Sequence, residues 1–104
     1  MENEAKRLDR SEVLSIIQKN HPELRALKVK YLALFGSFSR EEARPESDVD
    51  FLVDFDSPVG LLHFVRVKIF LEKIFPGHKI DLSMPETIHE EFKDGILLEA
   101  IRVA

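Results

Sequence analysis

A glycine placed directly behind an apolar run constrains this chain most. Tyr31-Leu32-Ala33-Leu34-Phe35 stops at Gly36-Ser37, and Ser47-Asp48-Val49-Asp50-Phe51-Leu52-Val53-Asp54-Phe55 follows at short range. The first run is rich in β-prone residues and predicts a strand. Gly36 lets the backbone turn sharply at its end and brings bare N–H groups toward a ligand. Ser37 adds a hydroxyl, and Ser39-Arg40-Glu41-Glu42-Ala43-Arg44 reads as a short helix whose N-terminal amides face the same spot, with Pro45 closing it. A strand end, a glycine turn and a helix start together favour an anion.

In the second run the apolar residues alternate, so Val49, Phe51, Val53 and Phe55 point one way and Asp48 and Asp50 the other. Two carboxylates on one strand face repel, and solvent, a raised pKa or a bound cation must relieve them. Mg²⁺ suits this pattern, since it takes oxygen ligands and is held by one or two carboxylates together with substrate phosphates. Lys79-Ile80-Asp81-Leu82-Ser83-Met84 repeats the alternation, with Asp81 facing away from Ile80 and Leu82. A third carboxylate on a third strand would complete a two-metal site. Asp54 lies farther along the Asp50 face and reads as a solvated strand end. Arg40 is open to two readings, a grip on phosphate or a partner for Asp48 or a nearby Glu. His21, His63, His78 and His89 fall at no zinc-like spacing.

The order Gly36-Ser37, then Asp48-Val49-Asp50, then a lone Asp81 resembles the nucleotidyltransferases of the DNA polymerase beta superfamily. Within it the chain is similar to the minimal nucleotidyltransferases, which are paired with HEPN-domain partners in prokaryotic toxin–antitoxin modules. The likeness spans roughly Ser11 to Val103, and its specific part runs from Leu34 to Val53. Gly36, Ser37, Arg40, Ala43-Arg44-Pro45, Ser47, Asp48, Asp50 and Asp81 carry it. Two residues depart from the family pattern. Glu41 stands where such proteins often carry Gly, and Phe38 is bulkier than the usual residue near the phosphates.

The resemblance implies an α+β nucleotidyltransferase fold that binds ATP and two Mg²⁺ ions. Asp48, Asp50 and Asp81 would be the metal-binding and catalytic residues, and Gly36, Ser37, Arg40 and Ser47 would hold the nucleotide. It implies transfer of AMP to a hydroxyl, namely a tyrosine on a HEPN ribonuclease toxin, which adenylylation would silence. The alternative is a non-catalytic antitoxin that neutralises the HEPN partner by binding alone. Transfer to a small molecule fits less well, because so short a chain has no obvious second pocket-forming domain.

Composition agrees with these expectations. With 44% apolar and 33% charged residues, the chain is ordinary for a globular protein. Residues 1–104 are read as one domain with a polar lead over 1–10. No apolar run approaches a membrane span and the first residues are too polar for a signal peptide, so the expected location is cytoplasmic. The absence of Cys excludes disulfides and thiolate metal sites. A net charge of −4 argues against autonomous binding to long nucleic acid. Homo-oligomerisation is left open.

Along the chain, Ser11 is the expected cap of a helix carrying Val13, Leu14, Ile16 and Ile17 and ending near Asn20-His21-Pro22. Leu24–Lys28 reads as a connection into the first strand. Val59 to Phe75 shows broadly helical spacing and stops at Pro76-Gly77. A short helix is expected from Glu86 to about Phe92, while Ile96–Val103 is undecided between helix and strand. The sum is an αβαβαβ order, a small mixed sheet with helices mainly on one face.

Overall fold

The computed structural model describes residues 8–44, 47–85, 90–91, 94–95 and 100–104. The elements run α1 (Arg10–Lys19), α2 (His21–Ala26), β1 (Val29–Phe35), α3 (Gly36–Ser39), β2 (Val49–Phe55), α4 (Leu61–Ile74), β3 (Ile80–Ser83) and β4 (Ile101–Arg102). Among the described residues the strands form one mixed sheet in the order β3-β2-β1-β4. β1 is antiparallel to both β2 and β4, whereas β2 and β3 are parallel and joined through α4.

One face of the sheet carries the core. Leu32 and Leu34 of β1, Val49, Phe51, Val53 and Phe55 of β2, and Ile80 and Leu82 of β3 are buried there. Against them pack Val13 and Ile17 of α1, Leu24 of α2, Phe38 of α3, and Val67 and Leu71 of α4. The helices therefore cover the same face, as the alternation in the strands requires. Val29 joins this core although it lies an odd number of residues from Leu32; an irregularity in the β1–β2 register between Val29 and Tyr31 absorbs the half-period. The opposite face carries Asp50, Asp54 and Asp81 together with the paired Ala33 and Leu52, which are buried as well.

Several local expectations are corrected. The cap of α1 is Asp9, not Ser11: its Oδ1 accepts from the Glu12 N–H at 2.8 Å. Asp9→Ala should therefore cost about 1 kcal/mol of unfolding free energy and Ser11→Ala almost nothing, which paired denaturant melts would read directly. Leu24–Lys28 is not a plain connection, because α2 already occupies His21–Ala26. Pro22 sits in its first turn, where a missing N–H costs nothing and the fixed φ helps. The helix expected over 39–44 lies earlier, at Gly36–Ser39, so it ends before Pro45, which is outside the described residues. The helix expected from Glu86 to about Phe92 lies largely outside them as well. The undecided tail supplies β4, and Val103 N–H donates to the Leu32 carbonyl at 2.8 Å just beyond it.

Candidate active site

Strand register assembles the site. In the antiparallel β1–β2 pair, Phe35 is opposite Asp50, so the residue that follows β1, Gly36, is delivered beside Asp50. In the parallel β2–β3 pair, Asp50 is opposite Asp81, and parallel neighbours show their side chains on the same face about 4.8 Å apart. Asp48 immediately precedes β2. Three segments distant in sequence thus bring Gly36, Asp48, Asp50 and Asp81 to the polar face of the sheet.

Gly36 is required twice over. Its φ of +74° lies in the left-handed region, which side chains with a Cβ rarely adopt. A Cβ there would also overlap the Asp50 carboxylate oxygen Oδ2 and come within 3.1 Å of its Cγ. The turn and the carboxylate are therefore in close apposition.

The electrostatics of this apposition are unfavourable as they stand. The pKa of Asp50 is pushed up to about 6, first by burial, then by the charges of Asp81 and Asp48 and by hydrogen bonding with Asp81; Arg40 partly opposes the shift. Excess negative charge of this kind suits a divalent cation with oxygen ligands, and the donor set of Asp48, Asp50 and Asp81 fits Mg²⁺ in type. Among the described residues no three His, Cys, Asp or Glu side chains are already gathered as a complete cation cage.

Of the two roles left open for Arg40, the structure shows the pairing with a nearby Glu. Its Nε pairs with Glu42 Oε1 at 2.9 Å, and its charge still reaches Asp50. Ser47 holds the loop that carries Asp48: its Oγ accepts from the Arg44 N–H at 2.8 Å, and its own N–H donates to the Arg44 carbonyl at 2.9 Å. Phe38 does not crowd the Gly36-Ser37 turn, since its side chain is 1% exposed in the core, edge-on to the His78 ring.

Glu41 has φ +61°, the conformation for which glycine is best suited. It occupies the left-handed position of a Schellman cap. The Glu41 N–H donates to Phe38 O at 3.3 Å and the Glu42 N–H to Ser37 O at 2.8 Å, which terminates α3. Arg10 is the residue that sequence reasoning missed. From the start of α1 it donates through Nη1 to the Ser39 carbonyl at 3.0 Å and pairs through Nη2 with Glu41 at 3.3 Å. A lone Arg in a polar lead gives no local signal of such a long-range contact.

The model of the nucleotidyltransferase domain matches residues 10–103. The chain belongs to the nucleotidyltransferase domain family. A Thermococcus cleftensis protein named protein adenylyltransferase MntA is 36% identical to it over 93 residues, which cover 88% of this chain and 93% of the relative. A Methanocaldococcus jannaschii protein, provisionally named as a protein adenylyltransferase, is 41% identical over 75 residues, or 72% of this chain and 80% of that relative. The fold of this nucleotidyltransferase superposes on a structure provisionally described as a minimal nucleotidyltransferase with TM-score 0.79 and 27% identity, covering 93% and 98% of the two chains. A toxin–antitoxin structure with AMP-PNP shares the fold at TM-score 0.64 and 16% identity, covering 93% of this chain and 73% of that one. The enzyme class and the α+β fold are thus those expected from Gly36-Ser37 and the three aspartates.

Proposed function

We propose that this nucleotidyltransferase moves AMP from ATP to a tyrosine hydroxyl of a cognate HEPN toxin and neutralises that toxin by doing so. The observation that carries this reading is the convergence of Asp48, Asp50 and Asp81 beside a glycine turn too tight for a Cβ. The names of the relatives support protein as the acceptor, and the toxin–antitoxin structures that share the fold support the partner class.

Asp48 and Asp50 would hold Mg²⁺ with the triphosphate, and Asp81 would share a second ion. When bound, such ions would supply charge neutralisation at the α-phosphorus and would make the incoming hydroxyl more acidic. Gly36 and Ser37 offer backbone N–H groups and a hydroxyl to the β- and γ-phosphates. Arg40 places positive charge near the same region, and Ser47 acts through the loop that positions Asp48. Asp81, exposed at the edge of the site, accepts the tyrosine proton as its oxygen bonds to the α-phosphorus. The bond from that phosphorus to the bridging oxygen breaks, and pyrophosphate leaves. Positioning and electrostatics provide most of the catalysis in such transfers.

The purely binding antitoxin is the less supported reading. Phe38 is buried away from the turn and Glu41 serves as a helix cap, so neither departure from the family pattern obstructs the nucleotide site. Among the described residues no helix is long and apolar enough to cross a membrane.

Co-expression with the HEPN partner separates the two. Wild-type chain should restore growth and Asp48→Asn/Asp50→Asn should not, although both should bind the partner. Equal protection by the double variant would establish neutralisation by binding.

A further inference from the structure

The end of α3 is held from outside the site. α3 is a single turn whose first residues, Gly36 and Ser37, form the proposed phosphate turn and whose last residue, Ser39, is tied to α1 by Arg10. So short a helix has little cooperative stability of its own, and its geometry depends on what fixes its ends. At the N-terminal end it is fixed by β1 and the close approach to Asp50. At the C-terminal end it is fixed by the Schellman cap, and that cap places a non-glycine residue, Glu41, at φ +61°. The left-handed conformation is unfavourable for a residue with a Cβ, so the cap tends to open unless something offsets that cost. The Glu41 carboxylate is where the compensation lies, because it pairs with the guanidinium that also grips the Ser39 carbonyl.

We propose that Arg10 is a positioning residue for nucleotide binding. It clamps Ser39 and Glu41 together, and the clamp does for this chain what a glycine after Arg40 would do through conformational freedom. The distances form a closed circuit: Arg10 to Ser39 O at 3.0 Å, Arg10 to Glu41 at 3.3 Å, and the Glu42 N–H to Ser37 O at 2.8 Å. The last of these bonds ends on Ser37 itself. Loosening the cap therefore frees the residue that presents its N–H and hydroxyl to the phosphates. The inference rests on the proposed role of Gly36-Ser37 in holding the triphosphate.

A double-mutant cycle over Arg10→Ala and Glu41→Gly tests it, with Mg²⁺·ATP affinity measured by titration calorimetry and KM and kcat measured on the partner. Arg10→Ala should weaken ATP binding and raise KM by roughly five- to tenfold with kcat nearly unchanged, because the clamp touches neither the metal ligands nor the acceptor. That ratio corresponds to about 1–1.4 kcal/mol, which is the scale of the left-handed penalty. In the Glu41→Gly background the same Arg10→Ala change should weaken binding by less than about twofold, since glycine removes that penalty. Arg10→Lys should recover only part of the loss, because a point charge cannot grip the carbonyl and the carboxylate with one planar fork.

Unchanged affinity in Arg10→Ala, or an equal loss in both backgrounds, would overturn the proposal while leaving the nucleotide site standing. Failure of the wild-type chain to bind Mg²⁺·ATP would overturn the site reading and the clamp with it. Thermal melts of each variant distinguish a local loosening from global unfolding, and rescue by Glu41→Gly cannot arise from a variant that merely fails to fold.

Discussion

Asp50→Asn should abolish AMP transfer and, at the same time, make the metal-free protein more stable at pH 7.5. The two effects have one cause. Burial and the neighbouring charges of Asp81 and Asp48 raise the Asp50 pKa from 3.8 to about 6, so its ionised form is disfavoured in the folded chain relative to the unfolded one. The folded state binds this proton more tightly than the unfolded state does. The stability contributed by the protonated carboxyl is therefore fully present below about pH 4 and is lost as pH rises through about 6. At pH 7.5 the loss is complete, and an amide of similar shape avoids it. In EDTA, the melting temperature of Asp50→Asn should exceed that of the wild type at pH 7.5, with the gap narrowing toward pH 4.5. Mg²⁺ should stabilise the wild type at pH 7.5 and the variant much less. Transfer should fall about a thousandfold or more, the scale on which loss of a charge-stabilising catalytic group acts. Wild-type and variant melts that coincide across this pH range would contradict the electrostatic account of the site.

Gly36→Ala should lose both activity and stability, unlike Asp50→Asn. The backbone at φ +74° would charge the new residue on the order of 1–2 kcal/mol for its conformation alone. The added methyl must also displace the Asp50 carboxylate, whose Cγ would lie 3.1 Å from it. A shift of about 1 Å in a catalytic group costs on the order of a hundredfold in rate, so transfer should fall by at least that much. Activity and melting temperature measured on the same preparation check the prediction. A variant that keeps full activity would mean that the turn does not press on Asp50 in the working enzyme.

The parts of this site legible in the sequence are those set by short-range rules. Alternation along Val49–Phe55 and around Asp81 separates carboxylates from the core, and a glycine behind an apolar strand marks a turn; both appear in the structure. The parts that were not legible depend on distant contacts. β4 consists of Ile101 and Arg102 and is held as an edge by β1, with the Arg102 guanidinium 5.3 Å from the centroid of the Tyr31 ring. Two residues carry no periodicity, so the tail could not be read as strand. α2 was hidden by Pro22, which closes a helix when met from its N-terminal side and opens one when it falls in the first turn. The displacement of α3 has the same origin as its cap. The sequence reads as helix over Ser39–Arg44, but the left-handed turn at Glu41, braced by Arg10, ends the helix at Ser39.

Phe38 shows why residue size alone is a poor guide to a binding loop. By position it borders the proposed phosphate turn, yet a single helical turn rotates its ring into the core that also holds the other buried aromatics. Ser47 shows the converse, since a small polar residue beside the aspartates bonds to the backbone of its own loop. Family patterns record which residues recur and leave open whether each one touches the ligand or shapes the loop that does.

The fate of the two ends of ATP tests adenylyl transfer most directly. Purified chain, Mg²⁺ and the proposed HEPN partner should be incubated with ATP labelled at the α-phosphate and, separately, at the γ-phosphate. The partner should take up the α-label and none of the γ-label, with the α-label lost in Asp48→Asn/Asp50→Asn and on removal of the proposed acceptor tyrosine. Partner that carries the γ-label, or that takes up α-label equally with the double variant, would contradict adenylyl transfer by the Asp48–Asp50–Asp81 site.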